Sequence, residues 1–147
     1  MIRIDYVLSQ ENVPVTGERV TNYMLVKLFP EACAEAYSLP LNISLVIDNS
    51  GSMYGDDNRI AHAIEAASHV VDALGPRDTV SVVGFHSRAK TFQTSTPVEA
   101  KSRIKQVIRS ITSWESGGTR MAEGMKNACA EIHRSLSSDR VNQVLLF

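Results

Sequence analysis

Along this chain the spacing of apolar positions changes character near residue 40. Before that point, Ile2 to Leu8 and Tyr23 to Phe29 place β-branched and aromatic residues in near alternation, separated by a stretch bearing Pro, Gly and Asn. This pattern predicts the two strands of a hairpin. Two strands alone are not stable in water, so the segment needs a sheet to join. From Leu41 onward strand and helix patterns alternate. Leu41 to Ile47 reads as a buried strand. Arg59 to Leu74 repeats Ile60, Ala63, Ile64, Ala67, Val71 and Leu74 on one helical face, and Gly75-Pro76 stops it. Thr79 to Phe85 is a second strand and Ala89 to Gln93 a short third one, joined by a turn tight enough to predict an antiparallel pair. Thr96-Pro97-Val98-Glu99 has the form of a helix start, with a capping hydroxyl, proline at the first helical position and glutamate to complete a capping box. That helix continues to Ile111 with Val98, Ile104, Val107, Ile108 and Ile111 inward. A third helix runs from Thr119 or Arg120 to about Leu136 with Met121, Met125, Ala128, Ile132 and Leu136 inward. Val141 to Phe147 closes as another buried strand. The alternation predicts an α/β fold with a mainly parallel sheet flanked by helices, preceded by a β-hairpin. The expected division is 1–40 and 41–147, with a short linker from about Pro30 to Pro40.

The first strand runs straight into candidate chemistry. Ile43-Ser44-Leu45-Val46-Ile47-Asp48-Asn49-Ser50-Gly51-Ser52-Met53 sets one carboxylate and two hydroxyls at every second residue, Asp48, Ser50 and Ser52, at the end of a rigid strand. An all-oxygen set of this kind suits a hard cation such as Mg²⁺. A second motif, Ser116-Gly117-Gly118-Thr119-Arg120-Met121-Ala122-Glu123-Gly124, puts a glycine pair before a threonine at a helix start. Two glycines permit backbone angles that other residues resist, which would let the loop fold tightly and bring Thr119 to an ion.

Asp-x-Ser-x-Ser-Met after an apolar strand, followed at a suitable distance by Gly-Gly-Thr, resembles the metal-ion-dependent adhesion site of von Willebrand factor type A domains, over about Leu41 to Phe147. The resemblance implies a Rossmann-like fold. It implies that Ser50, Ser52 and Thr119 contact a divalent ion directly or nearly so, that Asp48 neutralises charge directly or through water, and that an open coordination position accepts an Asp or Glu from a partner protein. Mg²⁺ and Mn²⁺ share oxygen preferences, so either fits. It further implies that a strand such as Val144-Leu145-Leu146-Phe147 leads into a Thr-Asp-Gly turn carrying a fifth site residue. The sequence stops at Phe147. The expectation is therefore an incomplete, carboxyl-terminally truncated domain. The competing explanations are a remainder on another polypeptide and self-association through an open sheet edge. A flanking β-sandwich, found in a number of such proteins, would account for the first forty residues.

Composition narrows the alternatives. With 147 residues, 44% hydrophobic and 21% charged, the chain has ordinary globular usage and enough length for one real core. A net charge of −1 without a basic run argues against nucleic acid as partner. No stretch approaches the roughly 20 apolar residues of a membrane span, and Met1-Ile2-Arg3-Ile4-Asp5-Tyr6 lacks the plan of a secretory signal, which makes a cytoplasmic location the expectation. Cys33 and Cys129 read as reduced structural thiols. Neither a Gly-x-Ser-x-Gly elbow nor a phosphate-binding glycine loop occurs, so the chain reads as a binder and not an enzyme. A metal-dependent hydrolase using Asp48 is the leading enzymatic alternative, although no second acid or lysine stands beside it in the loop. A structural module with an empty site is the other alternative. His62, Glu65, His69 and Asp72 read as a solvated helix face, since they lack the i, i+4 histidine pair of zinc helices. His86 lies at the ligand-binding end of the sheet, but a plain loop residue is the expectation. Trp114 and Glu115 are either partner-facing or packed. Arg120 reads as a solvated residue at the helix start. Tyr54, Asp56 and Asp57 shape the turn or stand behind the site.

Overall fold

A computed structural model describes residues 2–8, 23–30, 39–55 and 57–147. The chain divides into two compact units, Met1–Ser38 and Leu39–Phe147. In the first, β1 (Ile2–Leu8) and β2 (Met24–Pro30) pair antiparallel, and the register sets Asp5 opposite Lys27 and Tyr6 opposite Val26. Expectations for Cys33, Asp56 and the stretch between the two strands lie outside the described residues.

The second unit is built on a four-stranded sheet in the order β5-β4-β3-β6. Its strands are β3 (Leu41–Asp48), β4 (Thr79–Phe85), β5 (Ala89–Pro97) and β6 (Val141–Leu146). The last of these lies at the end of the strand order and is exposed or half-buried along its length, not the buried strand expected, because one neighbour covers it where β3 has two. The β3–β4 and β3–β6 pairs are parallel and β4–β5 is antiparallel, so the sheet is mainly parallel as the alternation predicts. Three helices flank it: α1 (Arg59–Ala73), α2 (Lys101–Ser110) and α3 (Met121–Arg134). Because side chains alternate across a strand, β3 serves two different layers. Ile43, Leu45 and Ile47 join Val80 and Val82 in one apolar cluster with Ile60, Ala67 and Val71 of α1 and Ile104 and Ile108 of α2. Val46, Val83 and Phe85 face the other way, onto Ala128 of α3.

The helix start expected at Thr96-Pro97-Val98-Glu99 is a correction. Thr96 pairs with Val80 and Pro97 with Thr79, so β5 runs through the proline. This is the edge strand, where a missing N–H need not cost a ladder bond. Val98 then donates its N–H to the Asp78 carbonyl at 3.0 Å. The Asp78 carboxylate accepts the N–H groups of Leu41 (2.7 Å) and Gly75 (2.6 Å). The turn thus closes one end of the sheet instead of capping a helix, and α2 starts four residues beyond Pro97 with Ala100 before it. Of the residues expected inward, Ile104 and Ile108 of α2 are buried and Val107 is half-buried against them, while Val98 and Ile111 are buried just outside the helix ends.

The third helix also differs from expectation. Its buried residues are Gly124, Ala128, Glu131 and Ile132, while Met121 and Leu136 are exposed. The reason is the Phe85 ring. A Cβ at position 124 would lie 2.7 and 2.9 Å from two of its atoms, so Phe85 occupies space only a glycine leaves. Apolar periodicity counts large residues and overlooks a glycine serving as the contact.

Candidate metal site

β3 carries Asp48 to the carboxyl-terminal edge of the sheet, where Asp48 N–H donates to Phe147 O at 2.9 Å and Asn49 N–H to Phe85 O at 2.7 Å. Both neighbouring strands therefore anchor the segment before the chain turns. The turn folds back at once. Ser50 N–H donates to Asp48 Oδ1 at 2.7 Å, which fixes the carboxylate beside the first serine. A single 3₁₀ turn, Gly51–Tyr54, then brings Ser52 Oγ to 3.1 Å from Ser50 Oγ. Ser50 is buried and Ser52 exposed, so the pair leads from the sheet edge to solvent.

The Gly-Gly-Thr loop lies directly against this turn. Ser50 and Gly117 form an isolated parallel bridge, and Gly51 N–H donates to Gly117 O at 2.9 Å. Three residues further on, Arg120 N–H donates to His86 O at 2.7 Å, so exposed Thr119 is tied down on both sides. Ser87 Oγ accepts the Gly118 N–H at 2.7 Å. The glycines serve a different purpose from the one expected. None of Gly51, Gly117 and Gly118 takes the left-handed backbone. What Gly117 supplies is room, since a Cβ there would meet Ser87 Oγ at 2.6 Å and His86 Nδ1 at 3.0 Å.

Three residues besides the four expected ion ligands stand close behind them, and for Tyr54 this is one of the two places expected. Asn49 is fully buried, and its Nδ2 donates to the carbonyls of Trp114 (3.1 Å) and Glu115 (3.2 Å). Tyr54 OH donates to Asn49 Oδ1 at 2.6 Å. Partial burial pushes the Tyr54 hydroxyl above the usual phenol pKa, so it remains a donor through the neutral range. His86, 3% exposed, packs its ring 4.0 Å from that of Trp114 and has no hydrogen-bond partner at either ring nitrogen. Trp114 is half-buried between His86 and Phe92, the packed alternative of the two expected for it. Its neighbour Glu115 is exposed and lies 3.5 Å from Arg88. His62, Glu65, His69 and Asp72 are all exposed on α1, the solvated face expected. Cys129 is an exposed free thiol on α3.

The serine pair passes a simple fit test. In an octahedral Mg²⁺ shell with oxygen at about 2.1 Å, adjacent ligands are about 3 Å apart. The Ser50 and Ser52 hydroxyls are 3.1 Å apart. Among the described residues no group of three His, Cys, Asp or Glu gathers as metal ligands would. A cation here would therefore rest on hydroxyls and one carboxylate, a hard, weakly charged set.

This fold, with paired loops at the carboxyl-terminal edge of a mainly parallel sheet, defines the class, and comparison with known proteins gives the family. The profile described as von Willebrand factor type A domain matches residues 43–147, and the chain belongs to that family. An uncharacterized protein of Synechocystis, sll0103, is 29% identical over 145 residues, which cover 99% of this chain and 33% of that protein. Inter-alpha-trypsin inhibitor heavy chain H2 of Mesocricetus auratus is 31% identical over 114 residues, covering 74% of this chain and 12% of its own length. The chain thus spans a third or less of these two relatives. Among solved structures, proximal thread matrix protein 1 from the mussel byssus, with a zinc-occupied MIDAS motif, superposes with a TM-score of 0.56 at 19% identity, over 73% of this chain and 35% of that one. Type A domains typically mediate protein–protein contacts and adhesion. No helix among the described residues is long and apolar enough to cross a membrane.

Proposed function

We propose that this chain is a divalent-metal-dependent protein-binding module whose ion, Mg²⁺ or Mn²⁺, is held by Asp48, Ser50, Ser52 and Thr119. One observation carries the reading: the two loops that bear these residues are bonded to each other, Gly51 N–H to Gly117 O at 2.9 Å, beside a pair of serine hydroxyls spaced as adjacent ligands of an octahedral ion. The zinc-occupied motif named for the mussel protein, which shares this fold, supports a cation at the matching place. Asp48 supplies the negative charge, held in place by the Ser50 N–H, while Ser50, Ser52 and Thr119 supply neutral oxygens. Held by so little charge, a bound cation would remain electrophilic enough to take an Asp or Glu carboxylate from a partner protein. The residues bind and orient, and nothing in the arrangement supplies a nucleophile with its base. In the same reading, residues 1–40 are the amino-terminal part of a flanking β-sandwich.

Calorimetric titration of Mg²⁺ and Mn²⁺ tests the site, with Asp48→Ala alongside. Saturable one-site binding lost in the variant is expected. Partner chemistry is read by retention on immobilised poly-glutamate, expected in Mg²⁺ and absent in chelator, with poly-glutamine as blank. Retention unaffected by chelator would overturn the metal dependence.

A further inference from the structure

We infer that Asn49 and Tyr54 form a staple that fixes the Gly117–Thr119 loop before any ion arrives, making both of them positioning residues of the site. The inference rests on the metal-site reading above for its consequence but not for its geometry. Asn49 occupies the position between Asp48 and Ser50. Its side chain nevertheless points away from them, into the protein, where it is fully buried. There it gathers three segments. Its backbone N–H is held by Phe85 O, its Nδ2 holds the carbonyls of Trp114 and Glu115, and its Oδ1 is held by Tyr54 OH from the far end of the 3₁₀ turn. The turn that carries Ser50 and Ser52 is thus tied to the segment that leads into Gly117, Gly118 and Thr119.

Buried amides are matched to their partners because an orphaned group forfeits its hydration. Removing the Tyr54 hydroxyl leaves Asn49 Oδ1 without its bond from that side, and a free amide can turn. Turning of the amide, like its removal in Asn49→Ala, releases the Trp114 and Glu115 carbonyls. The loop would then be anchored by its Gly117 and Arg120 backbone bonds, the Ser87–Gly118 bond, the contacts of the Trp114 ring with His86 and Phe92 and the exposed Arg88–Glu115 ion pair. Loss of such supporting contacts behind a metal ligand typically costs about 10–100-fold in metal affinity.

Trp114 is the sole tryptophan of the chain and sits in the stapled segment, so its fluorescence reports on the loop directly. The experiment compares wild type, Tyr54→Phe and Asn49→Ala, first ion-free by acrylamide quenching of Trp114, then by Mn²⁺ titration. Tyr54→Phe is the decisive variant, because Tyr54 is 42% exposed and losing its hydroxyl leaves the core intact even if Asn49→Ala fails to fold. Expected are increased quenching in the ion-free variants and an Mn²⁺ affinity about tenfold lower for Tyr54→Phe, with a cooperative unfolding transition retained. Quenching equal to wild type in Tyr54→Phe would overturn the staple. Increased quenching with unchanged Mn²⁺ affinity would overturn its positioning role. A wild type that takes up no Mn²⁺, with quenching that still rises in the variants, would leave the staple standing and sink the metal reading instead.

Discussion

The two faces of the central sheet are made differently, although both come from the same strands. Toward α1 and α2, β3 and β4 present Ile43, Leu45, Ile47, Val80 and Val82 in one continuous apolar cluster. Toward α3, the alternate positions of β3 are Asn42, Ser44, Val46 and Asp48, and those of β4 are Thr79, Ser81, Val83 and Phe85. At one end of this second face Asn42 Nδ2 donates to Ile132 O (2.9 Å) and to Asn142 Oδ1 (2.8 Å), and Thr79 Oγ1 donates to Asn42 Oδ1 at 3.0 Å. Buried Glu131 of α3 accepts the Ser95 N–H there at 3.0 Å. Midway, the Ser44 and Ser81 hydroxyls are buried without hydrogen-bond partners. The same row of β3 ends in Asp48. Burial of apolar area stabilises a fold without direction, whereas the polar face adds little of that and is defined by particular bonds. The fold is thus held chiefly from one side, and the candidate site grows out of the other.

The sharpest way to break this comparison is to truncate one residue on each face. Leu45→Ala should destabilise the chain by about 2–5 kcal/mol, as large-to-small changes in packed cores do. Its neighbour Ser44→Ala removes an unpartnered hydroxyl and should be neutral or stabilising by about 1 kcal/mol. Urea denaturation of the two variants reads the difference, and similar losses would contradict the two-face account.

Gly124→Ala comes next in size. Alanine favours a helix interior over glycine by about 1 kcal/mol, but the new Cβ would lie 3.1 Å from Phe85 Cβ, close to a backbone that cannot easily move. Overpacking of this kind costs about 1–3 kcal/mol, so net destabilisation is expected in the same denaturation assay. A gain in stability would mean that α3 is free to lift off the sheet.

Smaller effects are expected from titration. Folding raises the Tyr54 pKa above its ordinary 10.0, by burial. The contribution of its hydrogen bond is therefore complete below pH 10 and fades as pH rises through the folded value. The stability difference between wild type and Tyr54→Phe should be flat up to about pH 9 and narrow above it. On the exposed surface of α1, the hydrogen bond from Lys105 holds the Asp72 carboxyl below its ordinary 3.8. That contribution is present above the ordinary value and lost as pH falls through the folded one. Carboxyl titration by NMR should show Asp72 returning toward the usual range in Lys105→Met, with little change in stability for a pair whose carboxylate is so exposed.

Much of this was legible in the residues. The apolar rows of β3, β4 and α1 identify themselves because burial on a fixed period leaves a periodic trace. The Asp48, Ser50 and Ser52 spacing is visible because a strand end leading into a tight turn orders its side chains locally. The relation of Thr119 to Ser50 rests on resemblance alone, since it depends on a backbone bond between residues far apart in sequence. Asn49 could not be read at all, because in a string it is merely the residue between two motif positions, and its partners Trp114 and Glu115 are distant. Pro97 misled because the sequence does not say which strand lies at the edge, where proline is harmless. Met121 misled because apolar spacing cannot see that Gly124 is the residue in contact.

The most direct test of the central claim is an Mn²⁺ titration followed by paramagnetic broadening of backbone NMR signals. Broadening centred on residues 48–52 and 117–119, reversed by excess Mg²⁺ and absent in Asp48→Ala, is the predicted result. Broadening that centres instead on the exposed acidic residues of α1, Glu65 and Asp72, or that survives Asp48→Ala, would contradict it.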